Sequence, residues 1–79
     1  MNQQKRQKQR MQKALGTRIR NLRQDKRWPS QTAFAKACGI HRSHLLAIEN
    51  GAANLKLSTL RQIARMLKIT LADLLHNIV

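Results

Sequence analysis

The fold is decided by residues 31–51, which read QTAFAKACGIHRSHLLAIENG. Ser30 stands just before them as a candidate N-cap, and the apolar spacing that follows is typical of a short helix. Gly39 is expected to end that helix, because glycine adopts the positive φ that many helix C-termini require. A second short helix follows, with His41 as its N-cap and Gly51 at its end. The inner side of the first helix is expected to consist of Phe34, Ala35 and Cys38.

The second of these helices has two opposed faces. At about 100° per residue, and with Arg42 at 0°, Leu45 falls near 300° and Ile48 near 240°. The opposite side is formed by Arg42 together with Ser43, Leu46 and Ala47. We expect the apolar side to pack on the first helix and the other side to face outward. A cation, a hydroxyl and small apolar groups are the kinds of group that read base edges in a major groove. We therefore interpret the two short helices as a helix-turn-helix.

Three more helices are predicted outside this stretch. Helix 1 stops before Trp28 and Pro29, Ser58 is a candidate cap for helix 4, and Thr70 with Asp73 forms a capping-box pattern for helix 5. The apolar stripe of helix 1 is Met11, Leu15, Ile19 and Leu22, and that of helix 4 is Leu57, Leu60, Ile63, Ala64 and Leu67. No segment alternates with the period of a strand. The chain is therefore predicted to be all-α with five helices.

Charge and size limit the possible functions. The 79 residues carry 16 Lys and Arg but only 3 Asp and Glu, for a formal net charge of +13. A domain this small has a marginal core and little room for an enzyme cleft, whereas its positive field attracts polyanions such as nucleic acid. A single cysteine excludes an internal disulfide, and no secretory or membrane-spanning segment is recognisable, so we expect a cytoplasmic, nucleoid-associated protein.

Residues 1–13 differ in composition from the rest of the chain. They consist almost entirely of Gln, Lys and Arg, so we divide the chain into a basic N-terminal arm, residues 1–13, and a DNA-binding domain, residues 14–79. Any order in the arm has to come from a partner or from extension of the helix that follows. Two interpretations stay open: a solvated tail and an arm that binds phosphates.

Residues 15–75 resemble the phage repressor and Cro family of helix-turn-helix proteins, also called the xenobiotic-response-element family. The resemblance is carried by four segments: Leu15-Gly16 with Ile19-Arg20-x-Leu22-Arg23; Ser30-Gln31-x-x-Phe34-Ala35; Gly39-Ile40-x-Arg42-Ser43-x-Leu45-x-x-Ile48-Glu49-Asn50-Gly51; and Asn54 with Leu57-x-Thr59-Leu60-x-x-Ile63-Ala64-x-x-Leu67, ending in Leu71-x-x-Leu74-Leu75. It implies a lambda-repressor-like fold and a dimeric, sequence-specific transcriptional regulator that binds a palindromic operator as repressor or activator. Restriction-modification controllers and phage or plasmid repressors are among the compact members of the family.

The resemblance also implies roles for individual residues. Gln31 corresponds to a phosphate-contacting glutamine, and Arg23 and Glu49 correspond to a pair that joins helix 1 to the end of helix 3. The DNA-binding set comprises Gln31, Arg42, Ser43, His44, Leu46, Ala47, Asn54 and Lys56. Departures from the family pattern are the connection Trp28-Pro29-Ser30, which is about one residue longer than usual, and the residues Ala52, Ala53 and Leu55 in the loop after helix 3.

An apolar C-terminus suggests a second copy of the chain as a partner. Leu71, Leu74, Leu75 and Ile78, with Val79, are expected to form a homodimer together with the end of helix 4. One short recognition helix reads too few base pairs to select a site in a genome, so two copies are expected on each operator.

Catalytic, metal-binding and other functions are less well supported by the sequence than DNA binding. Cys38, His41 and His44 recur every three residues but supply only three ligands, and Gly39 interrupts their helix, so we predict no metal and no other cofactor. Asp25 and Asp73 are too far apart for paired-carboxylate chemistry, and no enzyme activity is expected. One alternative is an RNA-binding or nucleoid-type basic protein, but the chain lacks the aromatic residues on which bases would stack. Another is a membrane-surface helix at residues 1–13, but this segment lacks an apolar face.

Overall fold

The structure, a computed structural model, describes residues 3–78, with side chains for residues 5–78. It contains α1 (Gln3–Asp25), α2 (Gln31–Cys38), α3 (Arg42–Glu49), α4 (Leu57–Leu67) and α5 (Leu71–Leu75). Residues 3–78 contain no strand, so the predicted all-α fold with five helices is confirmed. Val79, expected in the dimer contact, lies outside the described residues.

Every helix contributes to one hydrophobic core. The ring of Trp28 meets that of Phe34 edge to face, with centroids 5.4 Å apart, and closes the core beside the connection from α1 to α2. The largest fully buried side chains are Ile19, Phe34, Leu45, Ile48, Ile63, Leu67 and Leu74. Apart from Leu74, these residues lie on the apolar sides predicted for their helices, so helical periodicity identified most of the core.

Helix α1 is longer than its apolar stripe. It begins at Gln3 and continues without a break to Asp25, so the basic segment is ordered by extension of the helix that follows it. Leu15 and Ile19 are buried, but Met11 is 38% exposed because it lies beyond the edge of the core. No described helix is long and apolar enough to cross a membrane.

The predicted caps hold at three helices and fail at one. Ser30 Oγ accepts a hydrogen bond from the Ala33 amide at 3.1 Å, Thr70 Oγ1 accepts one from the Asp73 amide at 2.9 Å, and His41 is the N-cap of α3 without a side-chain bond. The prediction that Ser58 caps α4 is wrong. Lys56 is the N-cap, since its carbonyl accepts the amide of the buried Leu60, and this places Ser58 inside the first turn.

Two contacts fix α1 against the rest of the domain. Gly16 lies against the carbonyl groups of Ile48 and Glu49, where a side chain would collide with the backbone at the end of α3. On another side of α1, Arg18 Nη2 donates to the carbonyl of Asp73 at 2.8 Å and holds α5. The end of α3 and the C-terminal helix are therefore positioned by the same helix.

Candidate nucleic-acid interface

Helices α2 and α3 are joined by a short turn at Gly39. Its φ of 76° ends α2, and its amide donates to the carbonyls of Ala35 and Lys36. Ala35 is almost fully buried, and its small side chain permits a close approach of the two helices. Cys38 completes the inner face of α2, as predicted.

Helix α3 has the two faces predicted from its sequence. Leu45 and Ile48 are fully buried, which fixes the helix against the core. The opposite face carries Arg42, Ser43 and Leu46, all exposed, with the half-buried Ala47 beside them. Leu46 is 39% exposed, so this outer face includes one large apolar side chain.

A buried polar cluster lies behind the C-terminal end of α3. Arg23 Nε donates to Glu49 Oε2 at 2.7 Å, and Arg23 Nη2 donates to Glu49 Oε1 at 3.2 Å. Arg23 Nη1 also donates to the carbonyls of Trp28 and Pro29, at 2.6 and 2.9 Å. The longer connection between α1 and α2 is thereby tied to α3, and the predicted pairing of Arg23 with Glu49 is present.

Gln31 belongs to the same cluster. Its Nε2 donates to Glu49 Oε1 at 2.9 Å, which fixes the carboxamide at the start of α2. A primary amide has two N–H donors, so one is left after this bond. Since Arg23 and Gln31 hold the carboxylate of Glu49 inside the domain, this acid does not add negative charge to the outer face of α3.

The loop between α3 and α4 holds two more residues of the predicted set. Asn54 and Lys56 are both exposed, and Asn54 Oδ1 accepts a hydrogen bond from Gln12 Nε2 of α1 at 2.7 Å. His44 is half-buried on the flank of α3. The structure therefore places Arg42, Ser43, Leu46 and Ala47 on one face, with Gln31 at the start of α2 and with Asn54 and Lys56 in the loop beyond α3.

The residues considered for metal binding or catalysis do not form a reactive site. Cys38 is 3% exposed, and burial raises the pKa of its thiol to about 11, so the thiol stays protonated at neutral pH. His41 is exposed on the other side of the turn. Within the described part of the chain, no three His, Cys, Asp or Glu residues are grouped to hold a metal ion.

The predicted dimer residues divide into two groups. Leu71, Leu75 and Ile78 are half-buried and so retain exposed apolar surface. The expectation that Leu74 contributes to a dimer surface is wrong, because it is fully buried inside the monomer. Leu74 is the fourth residue after the N-cap Thr70, which is the hydrophobic-staple position of α5, and a residue at this position packs against the domain core.

Two short helices crossing at a glycine, with the second helix held by its apolar face and its polar face outward, define a helix-turn-helix DNA-binding domain. A helix-turn-helix family model matches residues 19–74, and the chain belongs to this family. Control protein C.BamHI of Bacillus amyloliquefaciens is 33% identical over 61 residues, covering 77% of this chain and 75% of that protein.

A crystal structure gives the same result for the fold. The restriction-modification controller protein C.AhdI from Aeromonas hydrophila superposes with a TM-score of 0.74 at 32% identity, covering 78% of this chain and 88% of that one. The resemblance inferred from the sequence is therefore confirmed, and the chain is a sequence-specific DNA-binding transcription regulator of the helix-turn-helix type.

Sequence reasoning missed two features of this interface. Gly16 was noted only as part of the family pattern, although its close contact with the carbonyl of Ile48 sets the distance between α1 and α3. The hydrogen bond between Gln12 and Asn54 was not expected, because it joins residues 42 apart in a segment without an apolar pattern. Neither contact has a signal in helical periodicity.

Proposed function

We propose that the chain binds a palindromic operator as a homodimer, reads it through the outer face of α3, and controls transcription in a restriction-modification system. The observation that carries this proposal is the division of α3 into a buried side, Leu45 and Ile48, and an exposed side that starts with Arg42. A helix held in this way presents its N-terminal residues to base edges when it enters the major groove.

Each residue on the outer face of α3 is assigned a contact with the DNA. Arg42, at the first position of α3, donates two hydrogen bonds to O6 and N7 of a guanine. Ser43 offers a hydroxyl to a neighbouring base, and Leu46 and Ala47 contact thymine methyl groups. Gln31, His44, Asn54 and Lys56 flank this face and bind phosphates, which fixes the register of α3 on the duplex.

The partner surface is built from the C-terminal part of the chain. Leu71, Leu75 and Ile78 expose apolar area, and an open groove of about 480 Å³ between α1 and the C-terminus is lined by Met11, Leu55, Leu75 and Ile78 among others. A two-fold axis through this surface would bury it against itself. Two recognition helices then meet successive turns of one DNA face, with half-site centres about 10 to 10.5 base pairs apart or a multiple of that.

Control of a restriction-modification system is supported by the relatives. C.BamHI is a control protein, and C.AhdI is a restriction-modification controller protein. We assign no catalytic role and place the protein on cytoplasmic DNA. Concentration then sets its output, because dimerisation and operator binding both depend on it.

Titration of fluorescent DNA tests this function. The full chain is titrated into a duplex selected for binding, a random duplex and a single-stranded RNA of equal length, at one fixed salt concentration. We expect the selected duplex to be bound at least a thousandfold more tightly than the random one, with two chains per duplex. Equal affinity for all three nucleic acids would favour a general basic nucleic-acid-binding protein and contradict the proposal.

A further inference from the structure

The N-terminal half of α1 extends beyond the core as a basic helix. Its side chains at positions 5–10 are all exposed, and the first 24 residues of the chain contain no acid. The cations of this half are Lys5, Arg6, Lys8, Arg10 and Lys13. Eleven helical residues, 3–13, span roughly 16 Å, a length comparable with half a turn of duplex DNA.

This helix is docked next to the recognition helix. A methyl group at Gly51 would lie 2.7 Å from Lys13 Cγ and 2.8 Å from its Cα, so α1 rests directly on the residue that ends the turn after α3. Beside this contact, Gln12 Nε2 donates to Asn54 Oδ1 at 2.7 Å. Two adjacent residues of α1, Gln12 and Lys13, therefore contact the loop that follows α3.

Lys13 belongs to a stripe of three cations along α1. Residues seven positions apart on a helix point within about 20° of each other and are separated by about 10.5 Å. Arg6, Lys13 and Arg20 have this spacing, and all three are exposed. Because Lys13 rests on Gly51, the stripe passes the place where α3 ends.

We propose that the stripe Arg6, Lys13 and Arg20 is a second DNA-binding site, which holds phosphates of the duplex flanking the base-reading contact. This rests on the proposed function, since α3 has to bring the duplex to this side of the domain. Guanidinium and ammonium groups on a rigid helix match the negative charge of the backbone without reading bases. The helix adds affinity over a fixed stretch of flanking DNA.

The first test removes charge at the stripe and compares it with equal charge loss elsewhere. Arg6→Gln combined with Lys13→Gln keeps part of each aliphatic stem and removes two positive charges. Lys26→Gln combined with Arg65→Gln, exposed residues after α1 and at the end of α4, is the matched control. We expect the slope of log affinity against log salt to shrink by about 1.8 per chain in the first variant only. Equal slopes for both double variants would overturn the proposal.

The second test separates a rigid helix from a flexible basic tail. Gln9→Pro leaves every charge in place but breaks the helix before Lys13, because proline lacks the amide hydrogen and clashes with the carbonyl four residues earlier. We expect its salt slope to fall towards that of the stripe variant, whereas Gln9→Ala keeps the slope of the original chain. An unchanged salt slope for Gln9→Pro would overturn the claim that a rigid helix holds these cations against the duplex.

These outcomes are distinct from failure of the proposed function. All slopes are measured on a random duplex as well as on the selected one, so the stripe is tested even if no preferred sequence exists. Loss of sequence preference in the unmodified chain contradicts operator reading. A missing difference between the stripe variant and its control contradicts only the second site.

Discussion

Arg23 and Glu49 form a buried ion pair, with Arg23 Nε 2.7 Å from Glu49 Oε2 and both residues 3% exposed. The pair joins α1 to the end of α3, and the further bonds of Arg23 to Trp28 and Pro29 extend it to the connection before α2. Three of the five helices are therefore positioned by two side chains. The carboxylate of Glu49, the last residue of α3, is bonded within the domain and holds the end of that helix in place.

Glu49→Gln is expected to destabilise the domain strongly. The substitution leaves the guanidinium of Arg23 buried without a counter-charge, and removal of one partner from a buried pair costs about 3 to 5 kcal/mol. Urea denaturation followed by circular dichroism measures the free energy of unfolding. Asp25→Asn, which removes an exposed acid, is the control and should change it by less than about 0.5 kcal/mol. An unchanged urea midpoint for Glu49→Gln would show that the pair does not support the fold.

Gly16→Ala should be more damaging than Gly39→Ala, although both replace a glycine with the same residue. At position 16 the methyl group collides with the carbonyl oxygen of Ile48 and lies 2.9 Å from that of Glu49, both backbone atoms that cannot move alone. At position 39 nothing lies within 4 Å, so only the left-handed backbone opposes alanine, at about 1 to 2 kcal/mol. The two free energies of unfolding should differ in this order. The reverse order would contradict the close packing of α1 on α3.

Leu75→Asp and Ile78→Asp are expected to weaken dimerisation and operator binding together. Each places a charge in the proposed two-fold surface, while the buried residues of α2 and α3 are untouched. Sedimentation equilibrium and DNA titration report the two effects. Leu57→Asp, at an exposed apolar residue on α4, is the control for sedimentation and should leave the dimer intact. A monomeric Leu75→Asp variant that keeps the original operator affinity would exclude this dimer.

Cys38 should react with alkylating agents only when the domain opens. Burial raises the pKa of its thiol from 9.0 to about 11, so at pH 8 only about one thiol in a thousand is ionised in the folded chain. Folding therefore favours the protonated thiol, and this contribution to stability is complete below pH 9 and is lost as the pH rises towards 11. Mass spectrometry of iodoacetamide-treated protein, with and without urea, measures the reaction. Rapid labelling of the folded chain at pH 8 would contradict the burial of Cys38.

Periodicity predicted most of the fold because burial of apolar stripes decides which helices form. The inner residues Leu45 and Ile48 and the outer residues Arg42 and Leu46 were assigned to opposite faces from spacing alone. Leu74 was misplaced because helix α5 is only five residues long, and so short a stripe does not distinguish a monomer core from a dimer surface.

The exact start of α4 and the polar contacts between distant segments could not be predicted from helical spacing. The start of α4 at Leu57 follows from the position at which Leu60 reaches the core, and a serine two residues from the true N-cap gave the wrong boundary. Gln12 bonds to Asn54, and Lys13 lies against Gly51. These contacts join residues far apart in the chain, and helical spacing gives no indication of them.

The base-reading role of α3 is tested most directly by selecting bound duplexes from a random pool with the original chain and with Arg42→Ala. We expect an enriched motif of two inverted half-sites with centres about 10 to 10.5 base pairs apart or a multiple of that. Arg42→Ala should lose the preference for guanine at one position of each half-site and keep the rest of the motif, at a cost of about 1 to 3 kcal/mol on the selected duplex and little on random DNA. Identical motifs from the two proteins, or no enriched motif from the original chain, would contradict the base-reading role of α3.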